Sequence, residues 1–300
     1  MGSDDGIRIV DVDSALAAPF LDYVRVHGAE HDDSYTLEEE LEHFEPAIEP
    51  ASVVLGEADE VVGAASVMLD GYLAEGLGRF RILHALDPEV YPHLIAHILG
   101  RMPAEARRLS LFLPTGARSI EEALTLCGFA PTRHAYIVEH RAPAHTHVTD
   151  IPADTHFEQA LPTAAEDWAH VVNAAFKGEP GRYDMTAERA RELLARQRVI
   201  RDGTLLAWRG GLPAGVILTA RDCDECSQAE IETIAVCPAH QGIGLGRAML
   251  RTALHAAAEH SCTRVSLSVS AANKRALSLY LDAGFVVGQV RICWETVRQG

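Results

Sequence analysis

One stretch of the chain joins an apolar strand to a long helix through a turn that carries almost no side chains. The apolar residues of 231–236 are typical of a buried strand, and residues 247–260 have helical periodicity. Between them lie Gly242, Gly244 and Gly246. The glycines therefore fall at a helix N-terminus, where unpaired backbone N–H groups and the positive end of the helix dipole favour an anion such as a pyrophosphate.

Two familiar phosphate-binding motifs do not fit these glycines. A P-loop requires Gly-Lys followed by Ser or Thr, but Gly246 is followed by Arg247 and Ala248. A dinucleotide fingerprint requires a third glycine where the chain has Met249, and an acidic residue about 20 positions further on. The pattern that remains is Gln-x-x-Gly-x-Gly, beginning at Gln241 and preceded by Val-x-Pro.

A second motif follows at a matching distance. Residues 264–269 alternate as a strand, and residues 273–285 then read Asn-x-x-Ala-x-x-x-Tyr-x-x-x-Gly-Phe, with the tyrosine at Tyr280. Together the two motifs resemble those of the GNAT N-acetyltransferase superfamily. The resemblance implies that the loop amides hold the pyrophosphate of acetyl-CoA, and that Gly284 ends the helix in a left-handed conformation.

The same resemblance implies a set of residues that contact the co-substrate. Asn273 is expected either to bond the pantetheine arm or to cap its helix. Arg247 either pairs with a phosphate or belongs to a solvated helix face. The expected acetyl-CoA-binding residues are Ala235, Val236, Gln241, Gly242, Ile243, Gly244, Leu245, Gly246, Arg247 and Asn273.

The chemistry of amine acetylation needs a base for the amine, a donor for the oxyanion and an acid for the leaving thiolate. Glu230 and Glu232 are two apart on a strand and so point to one face; the alternative is that both merely end an exposed strand edge. Several GNAT enzymes carry their base at the position of Glu230, which makes Glu230 the first candidate and Glu232 the second. In the same way Tyr280 is the expected proton donor.

These residues predict an acyl-CoA-dependent N-acyltransferase that moves acetyl directly to a primary amine of a small molecule or peptide. Cys237 precedes Pro238 and has no recognisable His/Asp pairing, which argues against a covalent acyl-enzyme. A non-catalytic acyl-CoA-binding sensor or interaction scaffold stays open as the alternative. The acceptor also stays open among amino sugars, polyamines, peptide N-termini, amino acids and a mycothiol precursor.

The chain contains a second, weaker copy of this organisation. Placing Phe129 over Phe285 aligns residues 108–113 with 264–269 without a gap. Ala117 then stands in the place of Asn273, and Leu124 in that of Tyr280. The stretch upstream is six residues shorter, because Pro88 lies 20 residues before Arg108 whereas Pro238 lies 26 before Arg264. The first copy is therefore expected to keep the fold without the phosphate loop.

The predicted fold class is α+β, an α/β three-layer arrangement of two tandem GNAT-like domains. Each domain should be a mixed, mostly antiparallel twisted sheet flanked by helices. The expected ranges are 1–140 for the degenerate domain, 141–153 for a Pro-rich linker and 154–300 for the catalytic domain. This tandem type resembles mycothiol synthase in architecture.

The amino-acid composition limits the classes of molecule that the protein is expected to bind. With 43 acidic and 26 basic residues the formal charge is −17, which disfavours nucleic acid and anionic membranes and favours a cationic substrate. No apolar run is long enough to span a bilayer and no signal peptide is recognisable, so a cytoplasmic protein is expected. The oligomeric state is not indicated.

Two further expectations concern side chains. Of the six cysteines only Cys223 and Cys226 form a C-x-x-C pair, without a second pair at zinc spacing, so reduced thiols and no metal are expected. The acceptor wall is expected around a set of large side chains near the start of the second domain: Trp168, Phe176, Tyr183 and Met185.

Overall fold

The computed structural model describes residues 8–32, 35–36, 38–141, 143, 151–179, 184–222 and 227–298. Within these ranges there are twelve strands: β1 (Arg8–Asp11), β2 (Ala51–Leu55), β3 (Val61–Met68), β4 (Leu77–Ala85), β5 (Arg108–Pro114), β6 (Ala130–Arg141), β7 (Thr155–Gln159), β8 (Leu205–Arg209), β9 (Leu212–Arg221), β10 (Gln228–Val236), β11 (Arg264–Ser270) and β12 (Val286–Val297). The same ranges contain eight α-helices: α1 (Ala17–His27), α2 (Glu38–Leu41), α3 (Tyr91–Arg101), α4 (Arg118–Leu126), α5 (Ala165–Ala175), α6 (Ala187–Ala195), α7 (Leu245–Glu259) and α8 (Lys274–Asp282).

The chain forms two compact units. Unit 1 comprises Met1–His134 and Val290–Gly300, and unit 2 comprises Ala135–Gln289. The strand order is β1-β2-β3-β4-β5-β12 in unit 1 and β6-β11-β10-β9-β8-β7 in unit 2. In unit 1 only β4 and β5 pair in parallel, and in unit 2 only β10 and β11, among the strands described. The predicted mixed, mostly antiparallel sheets are confirmed.

Helices cover both faces of each sheet. In unit 2 the side chains of α5 and α6 pack on one face, and those of α7 and α8 on the other. In unit 1 the corresponding faces are covered by α1 and α2 and by α3 and α4. Apolar burial on both faces stabilises each sheet and produces the predicted three-layer arrangement. Among the helices described, none combines the length and apolar character needed to cross a membrane.

The two units are not the contiguous ranges predicted from the sequence, because each contains a strand from the other range. Residues 291–297 of β12 pair with β5 in unit 1, whereas residues 135–141 of β6 pair with β11 in unit 2. Alternating polar and apolar residues determine which face of a strand is buried, but they do not specify which other strand pairs with it. Within the predicted linker 141–153, residues 142 and 144–150 lie outside the described part of the chain.

The repeat seen in the sequence is present in the structure at the predicted alignment. β5, α4 and β6 have bounds that differ from those of β11, α8 and β12 by 156 residues throughout (264 − 108, 274 − 118, 286 − 130). Gly128 and Gly284, which follow α4 and α8, both have left-handed backbones, with φ of 82° and 95°. The two repeats along the chain thus have the same strand, helix and strand in the same lengths.

Candidate active site in unit 2

The glycine-rich turn lies between β10 and α7, as predicted. Gly242 and Gly244 have φ of +85° and +92°, a region that side chains with a Cβ rarely adopt. Gly244 is the N-cap of α7, and no side chain caps this helix. The first helical hydrogen bond runs from Ala248 N to Gly244 O at 3.0 Å, so the preceding N–H groups have no partner within the helix.

Gly246 packs the first turn of α7 closely against its neighbours. A Cβ added there would lie 3.5 Å from Leu279 Cδ2 and 3.8 Å from Val236 Cγ2, which is ordinary contact. Ile243 is 38% exposed beside the turn. Arg247 is also accessible, because its pair with Asp282 is loose, at 3.5 Å between two side chains that are more than half exposed. An anion at this helix end therefore meets N–H groups and a guanidinium.

Gln241 fixes the turn to both neighbouring elements. Its Nε2 donates to Val236 O at 3.0 Å, and its Oε1 accepts from Arg275 Nη1 at 3.0 Å. The side chain thus ties the turn to the end of β10 and the start of α8. The sequence motif identified Gln241 but not its partner Arg275, which lies 34 residues away.

The parallel strands β10 and β11 separate next to this turn. Their pairing covers only three positions and ends at Glu230 and Ser266. Beyond that pair β10 continues beside β9 to Val236, and β11 continues beside β6 to Ser270. An opening between the two strands follows, with Glu230 at its apex.

The hydrogen-bonding alternation of β10 distinguishes Val236 from Ala235. Cys237 N donates to Ala214 O of β9 at 2.9 Å. N–H groups alternate in direction along an antiparallel ladder, so Ala235 also directs its N–H toward β9, whereas Val236 directs its N–H toward the opening. Of these two residues, both expected from the sequence to contact acetyl-CoA, only Val236 directs its N–H toward the separated strand.

Tyr280 and Asn273 occupy the two ends of α8. Asn273 Oδ1 accepts from Ala276 N at 3.0 Å, so this side chain caps the helix. Tyr280 is 5% exposed, within the core that α7 and α8 form with the sheet, and its ring centroid is 6.0 Å from that of Phe285. Burial raises the pKa of Tyr280 to about 12, which keeps its hydroxyl protonated at neutral pH.

The two candidate bases have different surroundings. Glu232 is the extra residue of a β-bulge, since Ile231 pairs with Thr219 and Thr233 with Leu218. Its carboxylate, 16% exposed, lies 3.2 Å from Arg196 Nη1 and also contacts Arg198. A carboxylate held by two guanidinium groups is a poor proton acceptor, because protonation would remove both ion pairs. Glu230 is half-buried at the apex of the opening.

We expect Glu232→Gln to lower the free energy of unfolding by roughly 1–3 kcal/mol, because it leaves two largely buried guanidinium groups without their carboxylate. Equilibrium unfolding in urea measures this change. Glu188→Gln, at an exposed position of α6, is the control and should leave the unfolding midpoint unchanged. A midpoint that moves equally little in both variants would contradict a structural role for Glu232.

The large side chains expected to line the acceptor wall differ in burial. Trp168 is 0% exposed in the core under α5 and α6, so its own side chain does not line a wall, and the predicted wall rests on the helices and their other side chains. Phe176 and Met185 are partly buried and stay candidates. Asn173, which the sequence did not single out, holds Met185 through bonds of 2.9 and 2.7 Å to its backbone. Tyr183 lies outside the described residues, as do Cys223 and Cys226.

The equivalent positions of unit 1 carry the opposite charge. The parallel pairing of β4 and β5 ends at Arg79 and Ser110, as that of β10 and β11 ends at Glu230 and Ser266. Arg81 is the bulge residue in unit 1, and both oxygens of Glu49 accept from its guanidinium at 2.8 Å. Unit 1 thus has arginines where unit 2 has its two candidate bases.

The turn before α3 also differs from the glycine-rich turn of unit 2. Asp87 caps this turn, its carboxylate accepting from Glu89 N at 2.9 Å. Residues 86–90 contain no glycine. The turn of unit 1 therefore begins with a capping carboxylate and lacks the glycines that follow Pro238 in unit 2.

A mixed sheet whose parallel strands separate beside a glycine-rich helix N-terminus is the arrangement of the GNAT fold. Residues 165–285 match the model of the acetyltransferase (GNAT) family.

Curated relatives include proteins named mycothiol acetyltransferase. The one from Acidimicrobium ferrooxidans is 33% identical over 193 residues, which are 61% of this chain and 61% of the relative. The one from Clavibacter sepedonicus is 29% identical over 254 residues, 81% of this chain and 71% of the relative. The match thus spans less than two thirds of the first relative's length.

Solved structures share the fold of the whole chain. A GCN5-related N-acetyltransferase from Sphaerobacter thermophilus has a TM-score of 0.72 at 20% identity and covers 98% of this chain and 96% of its own. A tandem GNAT protein from the clavulanic acid biosynthesis pathway has a TM-score of 0.73 at 16% identity, with coverage of 98% and 99%. The predicted tandem of two GNAT-like domains is confirmed.

Proposed function

We propose that unit 2 transfers an acetyl group from acetyl-CoA directly to a primary amine of a small molecule or peptide. The observation that carries the proposal is the separation of β10 and β11 behind Glu230 and Ser266, beside the uncapped N-terminus of α7. The opening suits an extended thioester arm, and the helix end suits a diphosphate at its other end. Both lie within the residues that match the GNAT family model.

The residues of the glycine-rich turn fit the phosphate part of acetyl-CoA. The turn offers N–H donors without acceptors inside the helix, and Gly244 has open space where a Cβ would lie. Arg247 adds a positive charge next to these donors. Gln241 positions the turn, and Asn273 caps α8 through its Oδ1, which leaves its side-chain amide as the group proposed to bond the pantetheine arm.

In the proposed mechanism, Glu230 removes a proton from the substrate ammonium group through a water molecule. An alkyl ammonium has a pKa near 10.4 if it resembles lysine, so a base is needed at neutral pH. The amine nitrogen then forms a bond to the thioester carbonyl carbon while Val236 N–H donates to the oxyanion. The carbon–sulfur bond breaks as Tyr280 donates its proton to the departing thiolate. The attacking nitrogen then loses its second proton, which restores the Tyr280 hydroxyl through water, and Glu230 returns its proton to solvent.

The acceptor is proposed to be a small cationic amine of the mycothiol-precursor class. The support is the name of the relatives, mycothiol acetyltransferase, together with the acidic character of the chain, whose formal charge is −17. A negative protein raises the local concentration of cationic substrates. Polyamines, amino sugars and peptide N-termini are the competing acceptors.

An assay of thiol release from acetyl-CoA tests the function. The protein is incubated with acetyl-CoA and, in turn, a mycothiol-precursor amine, a polyamine, an amino sugar and a peptide with a free N-terminus. Amine-dependent release is expected, and it should be fastest with the precursor. Acetyl-CoA binding with no amine-dependent release from any acceptor would contradict the enzyme and favour an acyl-CoA sensor or scaffold.

We also expect Gly244→Ala to weaken acetyl-CoA binding by roughly tenfold, because its Cβ would enter the open space at the helix end and keep the diphosphate away from the N–H donors. Calorimetric titration measures the affinity. Gly211→Ala, in the turn between β8 and β9, also adds a Cβ in open space at a positive φ, of +78°. It is the control for backbone strain and should bind acetyl-CoA like the wild type.

A further inference from the structure

A cluster of two histidines and a glutamate lies in unit 1, outside the site described above. His27 ends α1, Glu30 lies in the turn that follows, and His84 lies in β4. One ligand atom from each residue lies within 4.8 Å of those of the other two. His27 Nδ1 is 2.7 Å from Glu30 Oε1, and His84 Nε2 is 3.1 Å from Glu30 Oε2. The carboxylate thus bridges the two imidazoles.

We propose that His27, Glu30 and His84 bind a divalent transition-metal ion, with Zn²⁺ as the best fit. Two imidazoles and one carboxylate are donors that suit zinc and neighbouring metals better than Mg²⁺ or Ca²⁺, which prefer all-oxygen sites. Tetrahedral zinc with bonds of about 2.0–2.2 Å holds its ligand atoms roughly 3.3–3.6 Å apart. The two distances to Glu30 need to lengthen by only a fraction of an ångström to reach that spacing, and His27 needs to turn toward the metal.

The hydroxyl of Tyr23 lies behind His84, at the ring nitrogen that does not face Glu30. His84 Nδ1 is 2.7 Å from this hydroxyl, which in turn donates to Val62 O at 3.1 Å. Without a metal, His84 Nε2–H donates to Glu30 Oε2, because a carboxylate only accepts. A metal would replace that proton; since the Tyr23 hydroxyl donates to Val62 O, its oxygen can then accept from His84 Nδ1–H, which leaves the Nε2 lone pair for the metal. That is the tautomer a metal requires, and a hydrogen-bond acceptor behind a ligating histidine is a regular feature of metal sites.

Burial holds the ring of His84 in place. Its side chain is 6% exposed and lies between Tyr23 and Glu30. The rings of His27 and His84 stack with centroids 4.7 Å apart, so a metal in the plane of the His84 ring requires His27 to turn about its side-chain bonds. His27 is 20% exposed and can do so.

A cavity borders the cluster on the side of His27 and His31, between these histidines and apolar residues of β4 and β5. It offers space for a water molecule as a fourth ligand, which completes a tetrahedral site. The metal would clamp the end of α1 and the following turn to β4. The sequence alone predicts no metal site, because its C-x-x-C pair lacks a second pair at zinc spacing. The proposed site differs from that expectation.

Zinc titration of the full-length protein after chelator treatment tests the proposal. Calorimetry gives the stoichiometry, and Co²⁺ absorption reports nitrogen and oxygen ligands in tetrahedral geometry. We expect one metal ion per chain in the wild type and its loss in Glu30→Gln and in His27→Asn, both at partly exposed positions that should not impair folding. Tyr23→Phe should weaken binding by about 10–100-fold.

Two controls separate this site from other donors. His93→Ala removes an exposed imidazole of the same unit, and a Cys223→Ser, Cys226→Ser double variant removes the cysteine pair; both should still bind one ion. Three results would each overturn the proposal: no zinc uptake by the wild type, which leaves a hydrogen-bonded cluster only; uptake lost with the cysteine pair; or unchanged uptake in both Glu30→Gln and His27→Asn.

Discussion

Tyr280→Phe is expected to lower kcat for acetyl transfer by roughly 10²- to 10⁴-fold and to leave the affinity for acetyl-CoA unchanged. The phenol is the proposed proton donor to the thiolate. The residue is 5% exposed, and the variant keeps its ring and therefore its packing. Steady-state kinetics measure kcat, and calorimetric titration measures the affinity. A binding-only role for unit 2 predicts no difference in either quantity.

The control for this change is Tyr136→Phe, which removes another hydroxyl from a tyrosine packed against the same core. It should retain full turnover. If Tyr280→Phe transferred acetyl at an undiminished rate, the proposed acid would be wrong, whatever its effect on stability.

The pH dependence of kcat provides an independent check of the acid. Burial raises the pKa of Tyr280 to about 12, so the hydroxyl stays protonated as pH rises through the ordinary tyrosine value near 10. We expect no loss of kcat from Tyr280 ionisation until the pH approaches 12. A basic limb near pH 10 that is present in the wild type and absent in Tyr280→Phe would contradict this burial.

Glu230→Gln is expected to reduce kcat/KM by roughly 10²- to 10³-fold at neutral pH, because the variant lacks a base for the ammonium group. The loss should shrink as the pH approaches the pKa of the amine, since more of the substrate is then already deprotonated. A pH–rate profile of wild type and variant measures both effects.

Glu232→Gln is the matched comparison, since it makes the same change two residues further along β10. The contacts of Glu232 with Arg196 and Arg198 predict lower stability but near-normal turnover while the protein is folded. The opposite outcome, with turnover lost at Glu232 and kept at Glu230, would transfer the role of base to Glu232. A loss that does not change with pH would remove Glu230 from proton transfer.

The sequence predicted the glycine-rich turn, the two strands and the two helices of its motifs because these features depend on local patterns. Glycine spacing, alternation in 264–269 and the cap at Asn273 are each specified within a few residues, and the structure has all three. The position of the motif tyrosine on α8 followed in the same way.

Features that depend on distant contacts were not predicted. Nothing near Glu232 indicates that Arg196, 36 residues earlier, ends beside it, so the two candidate bases looked alike. Trp168 looked like a groove residue because a large aromatic at a helix surface and one in a core have the same local pattern. His84 joins His27 and Glu30 only through the pairing of β4, which places residues 54 positions apart in contact.

Residues 135–141 of β6 belong to unit 2 and residues 291–297 of β12 to unit 1, which has a consequence for biosynthesis and for protein engineering. The strand that pairs with one side of β5 is absent until residues 291–297 have been translated, long after the rest of unit 1. During synthesis β5 is therefore an open edge able to recruit a foreign strand. A fragment cut near residue 140 would keep that open edge permanently, and shuffling such fragments between relatives would graft mismatched strands into both sheets.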